Sequence, residues 1–95
     1  MEVIMKARAS HILVPTEQAC LDLKTQIENG ANFAELAKQH SQCPSGQRGG
    51  DLGMFQPKQM VAEFDKVVFS EELNKVHGPV KTQFGYHLIW ITERS

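Results

Sequence analysis

The sequence predicts an α+β domain in which the first and last strands lie side by side at the centre of one sheet. Three observations lead there: a β-rich segment near each end of the chain, helical apolar periodicity between them, and a length of 95 residues, which allows a single core. With 41% hydrophobic and 22% charged residues the chain has an ordinary globular composition, which sets aside disordered, collagenous and low-complexity readings. No segment repeats at a fixed period and no Pro-, Gly- or Ser-rich tract reads as a linker, so residues 1–95 are expected to form one cooperative unit.

The elements follow in order. Across residues 5–14, Met5, Ala7 and Ala9 alternate with Lys6, Arg8 and Ser10, and His11-Ile12-Leu13-Val14 is then apolar on both faces, as in a strand whose second half is central. Pro15 stops it and Thr16 is a helix N-cap; Cys20, Leu23 and Ile27, three and four apart, form the apolar stripe of a helix that Asn29-Gly30 ends. Asn32 and Glu35 match a capping box for a second helix, striped by Phe33, Leu36 and Ala37 and running to His40. Residues 41–53, SQCPSGQRGGDLG, hold too much Gly, Ser and Pro for regular structure, and so long a loop in a small domain is usually functional. Residues 52–55 read as a short strand, and Met60, Val61, Phe64, Val67 and Val68 recur at helical spacing through Phe69. Gly78-Pro79 reads as a turn, residues 80–83 as a short strand, and residues 86–91 as the strongest β run of the chain.

Charge and cysteine content narrow the function. Ten Lys and Arg against eleven Asp and Glu leave a net charge of -1, which lacks the positive excess that phosphate-backbone binding needs, so no nucleic-acid partner is expected. The two cysteines, Cys20 and Cys43, are too few for a disulfide framework and form no C-x-x-C pair, which fits a reducing compartment. The N-terminal residues contain no apolar run of signal-peptide length and nothing approaches a membrane span of roughly 20 residues. The expectation is a soluble, cytoplasmic monomer, or one domain of a longer protein, with no membrane partner.

Side-chain parity places His11 on one strand face with Ala9 and Leu13, and His87 with Ile89 and Ile91, so the two histidines can meet on adjacent strands. Each alone is more often structural than catalytic; together they mark a site. A zinc site would draw on His11, His40, Cys43, His77 and His87, but only His40-x-x-Cys43 has close ligand spacing, and no metal is expected. Cys43, in the long loop, could be a thiolate beside a histidine, whereas Cys20 belongs to the core; a thiol hydrolase would also need a triad that the spacing does not show. Gly46-Gln47-Arg48-Gly49 is similar to the G-x-x-G clamp of KH modules and residues 49–53 to a phosphate loop, yet neither has the flanking elements such loops require.

Five blocks in order, Ser10-His11-Ile12-Leu13-Val14, Ser41-x-Cys43, Gly50-Asp51-Leu52-Gly53-x-Phe55, Gln59-Met60-x-x-x-Phe64 and Phe84-Gly85-Tyr86-His87-Leu88-Ile89, together resemble a parvulin-type peptidyl-prolyl cis/trans isomerase over residues 6–93. The resemblance implies a four-stranded antiparallel sheet wrapped by three to four helices, and activity on X–Pro bonds of peptides and unfolded proteins without a cofactor. It places His11 and His87 as the paired central histidines, Cys43 as the active-site thiol, and Thr82 beside them. It also assigns Leu52, Met60 and Phe64 to the proline pocket, with Phe55 nearby. Phospho-specific members carry a long basic loop after the first strand; here residues 14–18, VPTEQ, hold no Lys or Arg, so no phosphoserine recognition is expected. A non-catalytic peptide-binding or chaperone module would use the same cleft.

Overall fold

The computed structural model describes residues 6–94. Strand β1 (Ala7–Val14) leads into helices α1 (Glu17–Glu28) and α2 (Phe33–His40), then a 3-10 turn (Pro44–Arg48), β2 (Asp51–Phe55), α3 (Ala62–Val68), β3 (Val76–Thr82) and β4 (Gly85–Arg94). The strands form one antiparallel sheet in the order β2-β1-β4-β3, so the first and last strands are its centre, as the pattern predicts. Met5, the expected start of the first strand, lies outside the described residues.

Two cores result from strand alternation. Ile12, Val14 and Leu88 face α1 and α2, where they meet Cys20, Leu23, Ile27, Leu36 and Ala37. Ala7, Ala9, Ile89 and Ile91 face the other way and pack with Phe55, Phe64 and Val68. The caps form as read: Thr16 Oγ1 accepts the Ala19 amide at 3.2 Å, and Asn32 Oδ1 accepts that of Glu35 at 3.0 Å. β1 and β4 pair along their whole lengths, so that Ala7 opposes Arg94 at one end and Val14 opposes Tyr86 at the other.

Three expectations change. Residues 41–53 are not irregular throughout: Pro44 opens the 3-10 turn, its fixed φ suiting a first helical position, and β2 begins at Asp51. The segment also extends the β1 ladder. The Gln42 amide donates to Leu13 O at 2.8 Å, the His11 amide to Gly50 O at 2.9 Å, and the Leu13 amide to Ser41 Oγ at 3.0 Å. Gly50 makes this approach feasible, since its φ is +84° and a Cβ there would sit 2.4 Å from His11 O. Secondly, α3 starts at Ala62, and Met60 and Val61 precede it. Thirdly, Gly78-Pro79 is not a turn but lies within β3, at a register shift between His77 and Val80. Proline has no amide hydrogen to give the ladder, so it is accommodated at a bulge on an edge strand.

Candidate active site

His11 and His87 lie on the α3 side of the two central strands, 6% and 4% exposed. They sit diagonally across the ladder, since His87 opposes Leu13 and His11 opposes Ile89. Their Nδ1 atoms are 3.0 Å apart and their rings nearly parallel, at 14° with centroids 5.2 Å apart. Phe64, carried over the sheet by α3, stands at right angles to both rings, with centroids at 5.6 Å from His11 and 5.9 Å from His87.

Hydroxyl groups close both outer ends of the pair. His11 Nε2 is 3.1 Å from Ser45 Oγ, and Ser45 Oγ–H donates to Cys43 Sγ at 3.3 Å. His87 Nε2 is 2.8 Å from Thr82 Oγ1, which accepts the Phe84 amide at 3.2 Å. With Ser45 donating to sulfur, its oxygen accepts from His11 Nε2–H, which leaves His11 Nδ1 as the acceptor. His87 is then the Nδ1–H tautomer, and Thr82 donates to its Nε2. The donors therefore run in one direction, from Phe84 through Thr82, His87, His11 and Ser45 to Cys43. Burial, and secondarily the neighbouring imidazole, pushes His11 down to about 4, and burial lowers His87, so both rings are neutral at pH 7.

Beside this row is a hollow of about 360 Å³. It is lined by the two imidazoles, by the apolar side chains of Leu13, Leu52, Met60, Val61, Phe64 and Phe84, and by Gln42, Cys43 and Pro44. No Lys, Arg, Asp or Glu is among them.

Comparison with known proteins agrees with this geometry. The model of the PPIC-type PPIASE domain family matches residues 2–95. The chain belongs to the parvulin-type peptidyl-prolyl isomerase family. It is 48% identical over 91 residues to the foldase protein PrsA of Geobacillus sp. (strain WCH70), covering 95% of this chain and 33% of that protein. The chain thus spans about a third of the curated relatives it matches. Among solved structures, the peptidylprolyl isomerase PrsA of Bacillus anthracis superposes with a TM-score of 0.93 at 38% identity, covering 97% of this chain and 43% of that one. NmPin, the parvulin of Nitrosopumilus maritimus, gives a TM-score of 0.84 at 34% identity and covers 93% of this chain and 96% of its own.

In this parvulin domain the structure brings together seven of the eight residues singled out by sequence: His11, Cys43, Leu52, Met60, Phe64 and His87 line the hollow, and Thr82 lies behind His87. Phe55 is the exception. It is 5% exposed and packs beneath Phe64 and against Phe69, at centroid distances of 6.2 and 6.1 Å, so it supports the pocket from the core and does not face it. Cys43 is not beside a histidine either, because Ser45 stands between them. Sequence reading missed Ser45, since a serine in a Gly/Ser-rich loop gives no signal until the 3-10 turn faces it inward, 4% exposed. His40 and Cys43 gain no third ligand: among the described residues no group of three or more His, Cys, Asp or Glu could hold a metal ion.

Proposed function

We propose that this domain accelerates cis/trans rotation of X–Pro bonds in peptides and unfolded proteins, without a covalent intermediate or a cofactor. The supporting observation is an apolar hollow with no charged lining, beside two neutral imidazoles held by hydroxyl groups. Amide resonance gives the C–N bond a rotation barrier of about 20 kcal/mol and exchange times of roughly 10–100 s. Turnover on the order of 100 per second requires a gain of about 10³–10⁴, or roughly 4–5.5 kcal/mol. The planar amide is more charge-separated than the twisted one, so a site that removes water from its carbonyl disfavours the ground state more than the transition state. Leu52, Met60 and Phe64 supply that dry surface and hold the proline ring.

The polar row has an orienting role. Its donors are already committed to one another, so it presents a fixed dipole pattern to the rotating carbonyl and takes no proton from it. Cys43, at the end of the row, acts electrostatically, since rotation breaks no covalent bond and no ring nitrogen directly contacts its sulfur. Phosphoserine selectivity has no cation here to support it: the hollow has no Lys or Arg, and the link from β1 to α1 is only Pro15-Thr16. A monomeric state and a cytoplasmic location belong to the same proposal, the latter supported by the free thiols of Cys20 and Cys43. Among the described residues no helix is long and apolar enough to cross a membrane.

Exchange spectroscopy on a short X–Pro peptide, with and without the protein, tests the reading. Cis–trans cross-peaks that build up faster in the presence of protein are the expected result. Peptide binding with an unchanged exchange rate would make the domain a non-catalytic peptide-binding module.

A further inference from the structure

Helix α3 sets Phe64 on both histidines, yet the start of the helix has no polar tie to the sheet. Val61 gives it no side-chain cap, and among the described residues no hydrogen bond joins residues 60–67 to a strand. The helix is tied down at its other end. Arg94, near the end of β4, donates from Nη1 to two carbonyls that α3 and the turn after it leave free, Val68 O at 3.0 Å and Glu71 O at 2.6 Å. Two further bonds hold that turn: the Asn74 amide donates to Ile91 O at 2.7 Å, and His77 Nε2 to Glu72 O at 2.7 Å. Strands β3 and β4 thus grip residues 68–74, and among the described residues Arg94 alone reaches α3 itself.

Phe64 and Val68 are one turn apart on the same helix face, both buried in one apolar cluster with Ala7, Ala9, Ile89 and Ile91. That packing presses α3 onto the sheet but is non-directional, so the lengthwise position of the helix falls to its polar anchor. Val68 sends its side chain into the core and its carbonyl to Arg94, and a shift of the anchor passes to Phe64 through a single turn. We infer that Arg94 is a positioning residue for the isomerase: by clamping the end of α3 it fixes Phe64 at right angles to His11 and His87. It acts through Phe64, since Arg94 itself does not line the hollow. The inference rests on the isomerase reading.

Arg94→Met keeps the aliphatic stem and removes the donors, whereas Arg94→Lys keeps a charged donor. Each is compared with the unaltered protein by urea unfolding, by exchange spectroscopy on an X–Pro peptide, and by the NMR shifts of the histidine ring C–H groups, which sense the Phe64 ring. In folded Arg94→Met the His11 and His87 resonances are expected to move and kcat/KM to fall about tenfold or more, within the roughly hundredfold that a 1 Å misplacement costs. Arg94→Lys is expected to recover most of both. Lys75→Met, which removes an exposed cation paired with Glu72 in the same turn, is expected to change neither. In a Phe64→Leu background Arg94→Met is expected to cost much less activity, because residues that act through one another are not additive. Lower stability with unmoved histidine resonances and an unchanged rate overturns the inference, as do additive losses in the double variant or an equal loss in Lys75→Met. Should Arg94→Met not fold, Arg94→Gln, which shortens the clamp and keeps a neutral donor, carries the same comparisons. Absence of acceleration by the unaltered protein overturns the isomerase reading alone, since the histidine resonances report the clamp without a peptide.

Discussion

A proton added to the imidazole pair has only His87 Nε2 to occupy, the nitrogen that accepts from Thr82, because His11 Nε2 already carries the hydrogen it donates to Ser45. One proton already bridges the Nδ1 atoms at 3.0 Å, and a second there would set two N–H groups against each other. His11 is held down to about 4 in the folded state against an unfolded value near 6.5, so the unfolded chain binds more protons between those limits. Stability is therefore complete above pH 6.5 and is lost as pH falls towards 4, by roughly 3 kcal/mol. Urea titrations at pH 7 and pH 4.5 check this, with His11→Asn expected to flatten the difference. The Asp51 carboxyl, lowered chiefly by its hydrogen bond from Arg8, loses its contribution below this window. Ser45→Ala leaves the His11 Nε2–H buried without an acceptor, at an expected cost of about 1–3 kcal/mol in urea unfolding, and slows peptide exchange through disorder of the rings. Cys43→Ser, which ends the same row with oxygen, is expected to keep appreciable isomerase activity; an inactive but folded variant would restore the nucleophilic role.

Among the elements, the segment between α2 and β2 links fold to chemistry. It places Cys43 and Ser45 by hydrogen-bonding along the second half of β1, and at Gly50 the two backbones leave no room for a side chain. Gly50→Ala introduces a side chain at positive φ and against the His11 carbonyl, which costs about 1–3 kcal/mol and forces the segment off the strand. Activity is expected to fall more than stability, because the Ser45 contact is lost while the sheet remains; exchange spectroscopy beside a urea melt separates the two. The central strands and the first two helices were legible because their apolar spacings are repeated over many residues. Of β3 only the second half was: residues 80–83 read as a short strand, but Gly78-Pro79 has the local chemistry of a turn, and only pairing with β4 extends the strand back to Val76. Likewise the 3-10 turn carries no periodicity, and its inward serine is determined by packing against α2 and β1.

For the whole molecule, Phe64 joins core and hollow, being 3% exposed, T-shaped on both histidines and in contact with Phe55. Phe64→Ala is expected to cost about 3–5 kcal/mol and to weaken peptide binding at the same time, whereas Phe64→Leu, which keeps most of the volume, costs less than about 1.5 kcal/mol. Chemical denaturation and peptide titration together check it. The pairing of His11 with His87 could be read from strand parity, since alternation fixes which face each ring occupies. Phe55 could not be placed that way, because whether a phenylalanine at the end of β2 faces the hollow or lies under Phe64 depends on where α3 crosses. The full pairing of β1 with β4 brings Ala7 opposite Arg94. The domain is thus a loop closed almost on itself, with entrance and exit as adjacent rungs roughly 5 Å apart. A host polypeptide can receive such a unit at a single surface position, as a bead strung through one hole, with its own folding little disturbed by the insertion.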